Sequence, residues 1–175
     1  MMHPRHYLAL ILAVFLLLSF AGCRGAADVP EGMILASGDI VDYSLFVPEG
    51  WIVDQSGGVV SAYKSVQDPT SVSVMAWGLP YADSTLDDWW ESYREEFDAV
   101  FTDFTLESTA STLLDGAAAQ IYVYTGTLGE NTYRYTQIAA LRNTSVYLVT
   151  VTERADAETD HQEEISQIRE AFRWK

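Results

Sequence analysis

Cys23 has the most definite chemistry of any residue in this chain of 175 residues, because it is the only cysteine. It follows a short cationic start with Arg5, an apolar run over 7–20 and the small residues Ala21 and Gly22. This order is typical of a secretory signal peptide and its processing point. A thiol placed directly after that point is available for modification, since a single cysteine cannot form a disulfide within the chain.

The segment that ends at Cys23 resembles a bacterial lipobox, in which the cysteine is diacylated and becomes the new N-terminus. Phe20 departs from this pattern, which usually has Leu there. A transmembrane anchor is the first alternative, but the run over 7–20 is shorter than the roughly 20 residues that a spanning helix needs. Cleavage without acylation is the second, and it would leave a free thiol in an oxidising compartment. We predict a lipoprotein signal peptide over 1–22 and lipid attachment, as with palmitate, at Cys23.

No residue set in the sequence predicts catalysis. His161 is the single histidine of the mature chain, and its polar helical context predicts a solvated surface side chain. One histidine and one cysteine exclude a metal site rich in either residue. Two groups of acidic residues could bind a hard cation: Asp83, Asp87 and Asp88, and Asp156, Glu158 and Asp160. A position at the start of a helix is the simpler explanation of both groups. We therefore predict no enzyme, no metal and no cofactor, with a carboxylate-based hydrolase as a distant alternative.

The charge of the chain argues against nucleic acid as a partner. Ten basic and 25 acidic side chains give a net charge of −15, and removal of 1–22 leaves about −16. A domain this acidic repels nucleic acid and anionic lipid headgroups. We expect acyl chains, and not the protein surface, to hold the chain to a membrane. The mature length of about 150 residues fits one domain, so we predict a tether over 23–38 and a domain over 39–175.

Apolar periodicity predicts strands, a helix, more strands and a second helix. Ser84 is the expected N-cap of the first helix, with Asp87 completing a capping box, and an apolar stripe continues from Leu86 to Phe104. The second helix is expected over about 156–173. The predicted strands lie in the runs 43–47, 51–53, 59–65, 71–77, 106–114, 118–127, 132–142 and 145–153.

Two short turns predict the register of the last three strands. If Gly129-Glu130 and Asn143-Thr144 are two-residue loops, paired residue numbers sum to 259 and 287. One sheet face then gathers Ile121, Val123, Ile138, Val149 and Val151. The other gathers Tyr122, Tyr124, Tyr133, Tyr135, Gln137, Leu148 and Thr150. Packing beneath a helix is one interpretation of these four tyrosines, and a ligand or partner surface is the other.

Several of these segments resemble the PsbP-like superfamily. They are Tyr43–Trp51 with its P-x-G-W corner, Val72–Val74, Leu114–Ala117, Tyr147–Thr150 and the closing Ile165, Ile168, Phe172 and Trp174. The resemblance covers about 40–175 and implies an α+β fold, an antiparallel sheet sandwiched by two main helices. Family members include extrinsic photosystem II subunits, a yeast Ran-binding import factor and bacterial envelope lipoproteins. The lipobox, and Ala171 in place of the common Ser, favour the bacterial, DcrB-like branch over a photosystem role.

These observations predict an extracytoplasmic lipoprotein of the bacterial cell envelope. Its expected role is a non-catalytic binding or scaffold module that recruits an envelope protein near the membrane. The alternative is a lipoprotein that binds a small lipid or carbohydrate ligand on the tyrosine face. A hydrophobic cavity of several hundred Å³ would favour that alternative.

Overall fold

The computed structural model describes residues 28–57, 59–79, 81 and 83–175, which form eleven strands and three helices. The strands are β1 Met33–Leu35, β2 Tyr43–Ser44, β3 Phe46–Pro48, β4 Ile52–Asp54, β5 Val60–Tyr63, β6 Ser71–Gly78, β7 Thr105–Leu114, β8 Ala117–Leu128, β9 Asn131–Arg142, β10 Ser145–Arg154 and β11 Arg173–Trp174. The helices are α1 Leu86–Arg94, α2 Phe97–Val100 and α3 Gln162–Ala171. Within this part of the chain, no helix is both long enough and apolar enough to cross a membrane.

Seven strands form one antiparallel sheet in the order β4-β5-β6-β10-β9-β8-β7. Two further antiparallel pairs, β1 with β3 and β11 with β2, lie outside it. The register predicted for β8, β9 and β10 is confirmed, since Tyr124 pairs with Tyr135 and Ser145 with Arg142. The turns explain this agreement, because Gly129 and Asn143 adopt the positive φ that two-residue hairpin loops require.

The sheet buries a hydrophobic cluster on each face. On one face Ile165 and Ile168 of α3 pack with Ile138 and Val149 of the sheet and with residues of β1–β3. On the other face the aromatic residues of α1 and α2 pack with the tyrosines of β8 and β9. The predicted antiparallel sheet and helices are confirmed. The sandwich by two main helices is confirmed in part, because strands β1–β3 share one face with α3.

The first helix begins one residue later than the sequence predicted. Thr85, and not Ser84, is the N-cap, and its Oγ1 accepts a hydrogen bond from Asp88 N at 3.1 Å. Thr85 N donates to Asp88 Oδ2 at 3.0 Å, which completes the capping box. The apolar stripe to Phe104 is also not one helix, because α1 ends at Arg94 and the short α2 ends at Val100. Aromatic packing continues along the stripe although the helical backbone does not.

The folded part begins before the boundary predicted at residue 39. Met33 is buried, and strand β1, Met33–Leu35, pairs with β3. Ser37 is buried as well, where its Oγ accepts a hydrogen bond from Leu45 N at 3.1 Å. The latter part of the predicted tether over 23–38 is therefore structural. The second helix is shorter than expected, since α3 covers only 162–171.

Candidate functional site

Cys23, the predicted lipid attachment site, lies outside the described residues. The first described residue is Asp28, and β1 begins at Met33. Nine residues therefore separate Cys23 from the first strand.

The tyrosine face is covered by α1, α2 and the residues that follow them. The indole of Trp90 stacks on Tyr122, with ring centroids 3.8 Å apart and planes 9° apart. Phe97 packs on Tyr124 at 5.0 Å, and Tyr124 stacks on Tyr135 at 5.0 Å. Tyrosines occupy alternate positions of β8 and β9 and therefore lie on one face of the sheet. The residues that cover this face are also aromatic. The resulting layer is a core of rings and not an open groove.

Burial also suppresses the acid–base chemistry of these phenols. It raises the pKa of Tyr122 and of Tyr135 to about 12, and it raises the pKa of Tyr124 further. These three side chains are at most 9% exposed, which does not agree with an open surface at their positions. Of the two interpretations given for the tyrosines, packing beneath a helix describes the positions of these three. Tyr133 is half-buried at the margin, and a role of the four in binding a ligand stays a prediction.

His161 is the clearest correction to the sequence analysis. The sequence predicted a solvated histidine, but the side chain is 1% exposed at the N-cap of α3. Its Nδ1 lies 2.7 Å from Glu164 Oε2, one helical turn along. Its Nε2 lies 3.2 Å from Oδ2 of Asp68, a residue of the loop between β5 and β6. These two atoms are close but do not form a hydrogen bond. The imidazole therefore sits between two carboxylates.

Lys64 completes this group by approaching the same carboxylates. Its Nζ donates to Glu164 Oε2 at 3.0 Å and lies 3.8 Å from Asp68 Oδ2. Thr70 binds the other oxygen of Asp68, with Oγ1 donating to Oδ1 at 2.7 Å. The charged cluster Lys64, Asp68, His161 and Glu164 thus joins the β5–β6 loop to the first turn of α3.

The two acids of this cluster have lowered pKa values, whereas the pKa of the neighbouring Glu153 is raised. Partial burial opposes ionisation of Asp68 and Glu164, but hydrogen bonds and the charges of Lys64 and His161 hold the pKa of each carboxyl below its usual value. Glu153 on β10 is different, because burial raises the pKa of its carboxyl and the nearby His161 and Arg134 offset this only partly. Among the described residues, Glu153 is thus a buried acid without a direct ion pair.

A cavity of about 500 Å³ opens beside the charged cluster. Asp68 and His161 form part of its wall, and Arg154 and Asp156 form another part. Neither a serine nor a cysteine is among its lining residues, and Thr159 is the hydroxyl side chain that is. In the parts of the chain that the structure covers, no group of His, Cys, Asp and Glu side chains is arranged to hold a metal ion.

Three of the six acidic residues first considered for cation binding have structural partners. Asp88 caps α1, as described above. Asp156 accepts two hydrogen bonds from the Arg154 guanidinium, at 2.9 and 2.8 Å. The Asp160 carboxylate accepts from Gln162 N at 3.0 Å at the start of α3. Asp88 and Asp160 lie at helix starts, as the sequence analysis expected, whereas Asp156 lies six positions before α3 and pairs within a turn.

Comparison with known proteins rests on structure alone. No family model matches the sequence, and no curated protein matches it. The cyanobacterial PsbP (CyanoP) structure from Synechocystis is similar, with a TM-score of 0.61, 17% identity, 90% of this chain covered and 99% of that chain. The structure of LpqN from Mycobacterium tuberculosis, described as involved in cell envelope biogenesis, has a TM-score of 0.57 at 13% identity, covering 75% and 82% of the two chains. The chain therefore has the PsbP-like fold.

Proposed function

We propose that this protein is a lipid-anchored bacterial envelope protein that acts outside the cytoplasm as a non-catalytic binding or scaffold module. The observation that carries the proposal is the position of Cys23. It ends a signal-like segment, it is the only cysteine, and the first strand begins ten positions later. Two or more acyl chains on this residue would hold the domain at the membrane surface, since one chain alone binds only marginally.

The chemistry of the described domain supports a role without catalysis. Its largest group of titratable side chains, the charged cluster around His161, is occupied by mutual ion pairs and hydrogen bonds. The phenols of the tyrosine face are buried and their pKa values are raised. Similarity of the fold to LpqN, an envelope-biogenesis protein by its description, supports the proposed location. The proposed partner is another envelope protein, and nucleic acid is disfavoured by the excess of acidic side chains.

Labelled palmitate incorporation in a bacterial host tests the anchor. The Cys23→Ser variant should lose all label and remain unprocessed, because acylation of the thiol precedes cleavage in the lipobox pathway. Phe20→Leu is the matched control, since it moves the segment toward the usual lipobox, and it should label at least as well as the parent. Equal labelling of the Cys23→Ser variant and the parent would show that the cysteine is not the attachment site.

The alternative function, binding of a small lipid, is favoured by one specific recess. It has a volume of about 280 Å³ between α3 and the sheet, on the face opposite the tyrosines. Ile121, Val123 and Ile165 contribute its apolar lining, and the Arg169 side chain also borders it. A fluorescent fatty acid tests this alternative. Saturable binding that Ile121→Glu abolishes would support it, and absence of saturable binding would remove it.

A further inference from the structure

The seven-stranded sheet ends in one long and exposed strand. β7, Thr105–Leu114, is the outermost strand on its side, and among the described residues it pairs with β8 alone. The consecutive side chains of residues 105–111 are all exposed, so both faces of the strand reach solvent there. The opposite edge of the sheet is β4, which has only three residues. A short edge offers little to pair with, whereas a long edge offers a row of backbone donors and acceptors.

The β7–β8 turn determines which backbone groups of β7 point outward. Asp115 and Gly116 both have a positive φ, as a type I′ turn requires, and they connect the paired residues Leu114 and Ala117. The pair that closes such a turn is hydrogen-bonded, and hydrogen-bonded pairs alternate with other pairs along an antiparallel ladder. Counting back from the turn, the residues whose N–H and C=O groups point away from β8 are Thr109, Ser111 and Leu113.

The stretch 108–114 lacks the features that shield edge strands in other proteins. Those features are lysine, proline, other charged side chains and bulges. Residues 108–114 contain no proline and no charged residue, in a chain in which 20% of the residues are charged. The bulge of β7 lies before this stretch, at the register shift between Leu106 and Ser108. The stretch is therefore a regular, uncharged strand whose outer edge is open to another strand.

The backbone of this stretch is complementary to its own copy. A two-fold axis through Ser111 pairs this residue with Ser111 of a second copy, and it pairs Thr109 with the second copy's Leu113. All of these are outward-pointing residues, and residues in a hydrogen-bonded pair exchange both of their backbone bonds. Every outward N–H and C=O group of the three residues then has a partner.

The side chains agree with the same register. Thr109 and Leu113 pair with Tyr122 and Ala118 of β8, so both lie on the tyrosine face of the sheet. They can therefore contact each other across the two copies, since cross-strand pairs share a face. Leu113 is 63% exposed in the single chain, and Thr109 of the second copy would cover part of it.

Charge does not oppose the pairing within the stretch itself. The nearest acidic side chains of β7 and its turn are Glu107 and Asp115, which lie just beyond the paired residues. Each of them already has a donor in its own chain. Arg134 Nε donates to Glu107 Oε2 at 3.1 Å, and Trp174 N donates to Asp115 Oδ2 at 2.8 Å. The like charges at the two ends of the pairing are thus partly compensated before a second copy approaches.

We propose that two copies of this protein associate edge to edge through residues 108–114 of β7, with Ser111 on the two-fold axis. The two seven-stranded sheets then form one continuous sheet, and the tyrosine face of one copy continues into that of the other. The pairing uses the edge of the sheet and does not depend on lipid attachment at Cys23.

Sedimentation equilibrium of the mature chain tests the association. Residues 23–175 contain every described residue, and Cys23→Ser removes the thiol, so neither a lipid nor a disulfide contributes to the measured mass. This chain should sediment as a dimer, and its mass should fall toward that of one chain on dilution. The mass of a single chain at every concentration would overturn the proposal and leave the β7 edge to an extended segment of another protein.

Charged substitutions at Ser111 test the position of the axis. Ser111→Lys and Ser111→Glu each place two like charges opposite one another, which should weaken the dimer by about tenfold or more. An equimolar mixture of the two variants should restore the dimer, because opposite charges then meet across the axis. Ser111→Ala is the matched control, since it keeps the outward backbone groups, and it should sediment as the parent does. Failure of the mixture to dimerise, or dimers of parental strength from either charged variant alone, would refute the pairing about Ser111.

Discussion

Glu153 is a buried carboxylate that makes no direct ion pair with a basic side chain among the described residues. It is 6% exposed, and burial raises the pKa of its carboxyl above the usual value. A raised pKa in the folded state means that the ionised carboxylate lowers the free energy of unfolding at neutral pH. This cost disappears as the pH falls through the raised value, because the folded state then binds the proton more readily.

We therefore expect Glu153→Gln to stabilise the domain at neutral pH. The amide keeps the shape of the side chain and removes the charge, so the melting temperature should rise by a few degrees at pH 7.5. The gain should shrink at pH 5, where the parent carboxyl is increasingly protonated. Thermal melts of both proteins at the two pH values measure this difference. A gain of the same size at both pH values would show that desolvation of the charge is not the cause.

Glu164 shows the opposite pH dependence. Its carboxylate binds His161 and Lys64, and these contacts hold its pKa below the usual value despite partial burial. The stability that this group contributes is present above its unfolded pKa and is lost as the pH falls through the folded one. Glu164→Gln should cost about 1 kcal/mol at pH 7, allowing for solvent screening, and less near pH 3, where the carboxyl is increasingly protonated.

A neighbouring position supplies the control for this measurement. Glu163 is exposed on the same turn of α3, where it accepts only a 3.4 Å hydrogen bond from Gln167. Glu163→Gln should change the free energy of unfolding by less than about 0.5 kcal/mol at either pH. Urea unfolding of the two variants gives the comparison. If both lose the same stability, the charged cluster does not carry the effect.

At the scale of elements, the aromatic layer depends on a close approach between α2 and β8. A Cβ at Gly126 would lie 2.5 Å from Phe101 Cδ1 and 2.6 Å from its Cγ, which no real contact tolerates. Gly126→Ala should therefore destabilise the domain by about 1–3 kcal/mol through overpacking. Gly78→Ala, at a strand position with open space, should be nearly neutral. Urea unfolding of both variants measures the contrast.

A double-mutant cycle identifies the source of that cost. Phe101→Leu removes the ring atoms that a Cβ at Gly126 would meet, so it should recover part of the stability lost by Gly126→Ala. Additive losses in the double variant would mean that backbone strain in β8, and not the Phe101 ring, sets the cost.

The hairpin register was predictable, whereas the helix boundaries were not. Gly129-Glu130 and Asn143-Thr144 fix the pairing locally, because turn residues and strand alternation lie within the same few positions. The apolar stripe from Leu86 to Phe104 indicates which side chains face the sheet. It does not indicate where the helical backbone ends. The N-cap shifted by one residue because Ser84 and Thr85 are both good caps, and only their hydrogen bonds distinguish them.

The candidate site shows a further limit of sequence reasoning. His161 follows Asp156, Glu158 and Asp160, so its local context is polar and indicates exposure. Its burial depends on the β5–β6 loop, whose Asp68 lies 93 positions earlier. No pattern within a helix can report a partner at that separation. The four tyrosines, in contrast, were placed correctly on one face, because their alternation along β8 and β9 is local information.

At the scale of the whole molecule, the last residues join the separate strand pairs to the main sheet. β11 pairs with β2, and Trp174 Nε1 donates to Leu114 O at 2.9 Å. The same indole packs against Phe172 at 4.7 Å and Tyr147 at 4.9 Å, while the Arg142 guanidinium lies 4.9 Å above it. One side chain thus contacts the end of β7, β10 and the residue that follows α3.

Trp174→Ala should consequently weaken the whole domain, although its position near the chain end would suggest a small effect. We expect a loss of about 2–3 kcal/mol in the free energy of unfolding, below the range for a fully buried Trp because this indole is half-exposed. Trp174→Phe should lose less, since it keeps the ring contacts and removes only the Nε1–H donor. Urea unfolding followed by circular dichroism measures the cooperative transition, with Arg173→Ala as the exposed neighbouring control. A loss for Trp174→Ala no larger than for Arg173→Ala would mean that the C-terminal strand can detach without affecting the sheet.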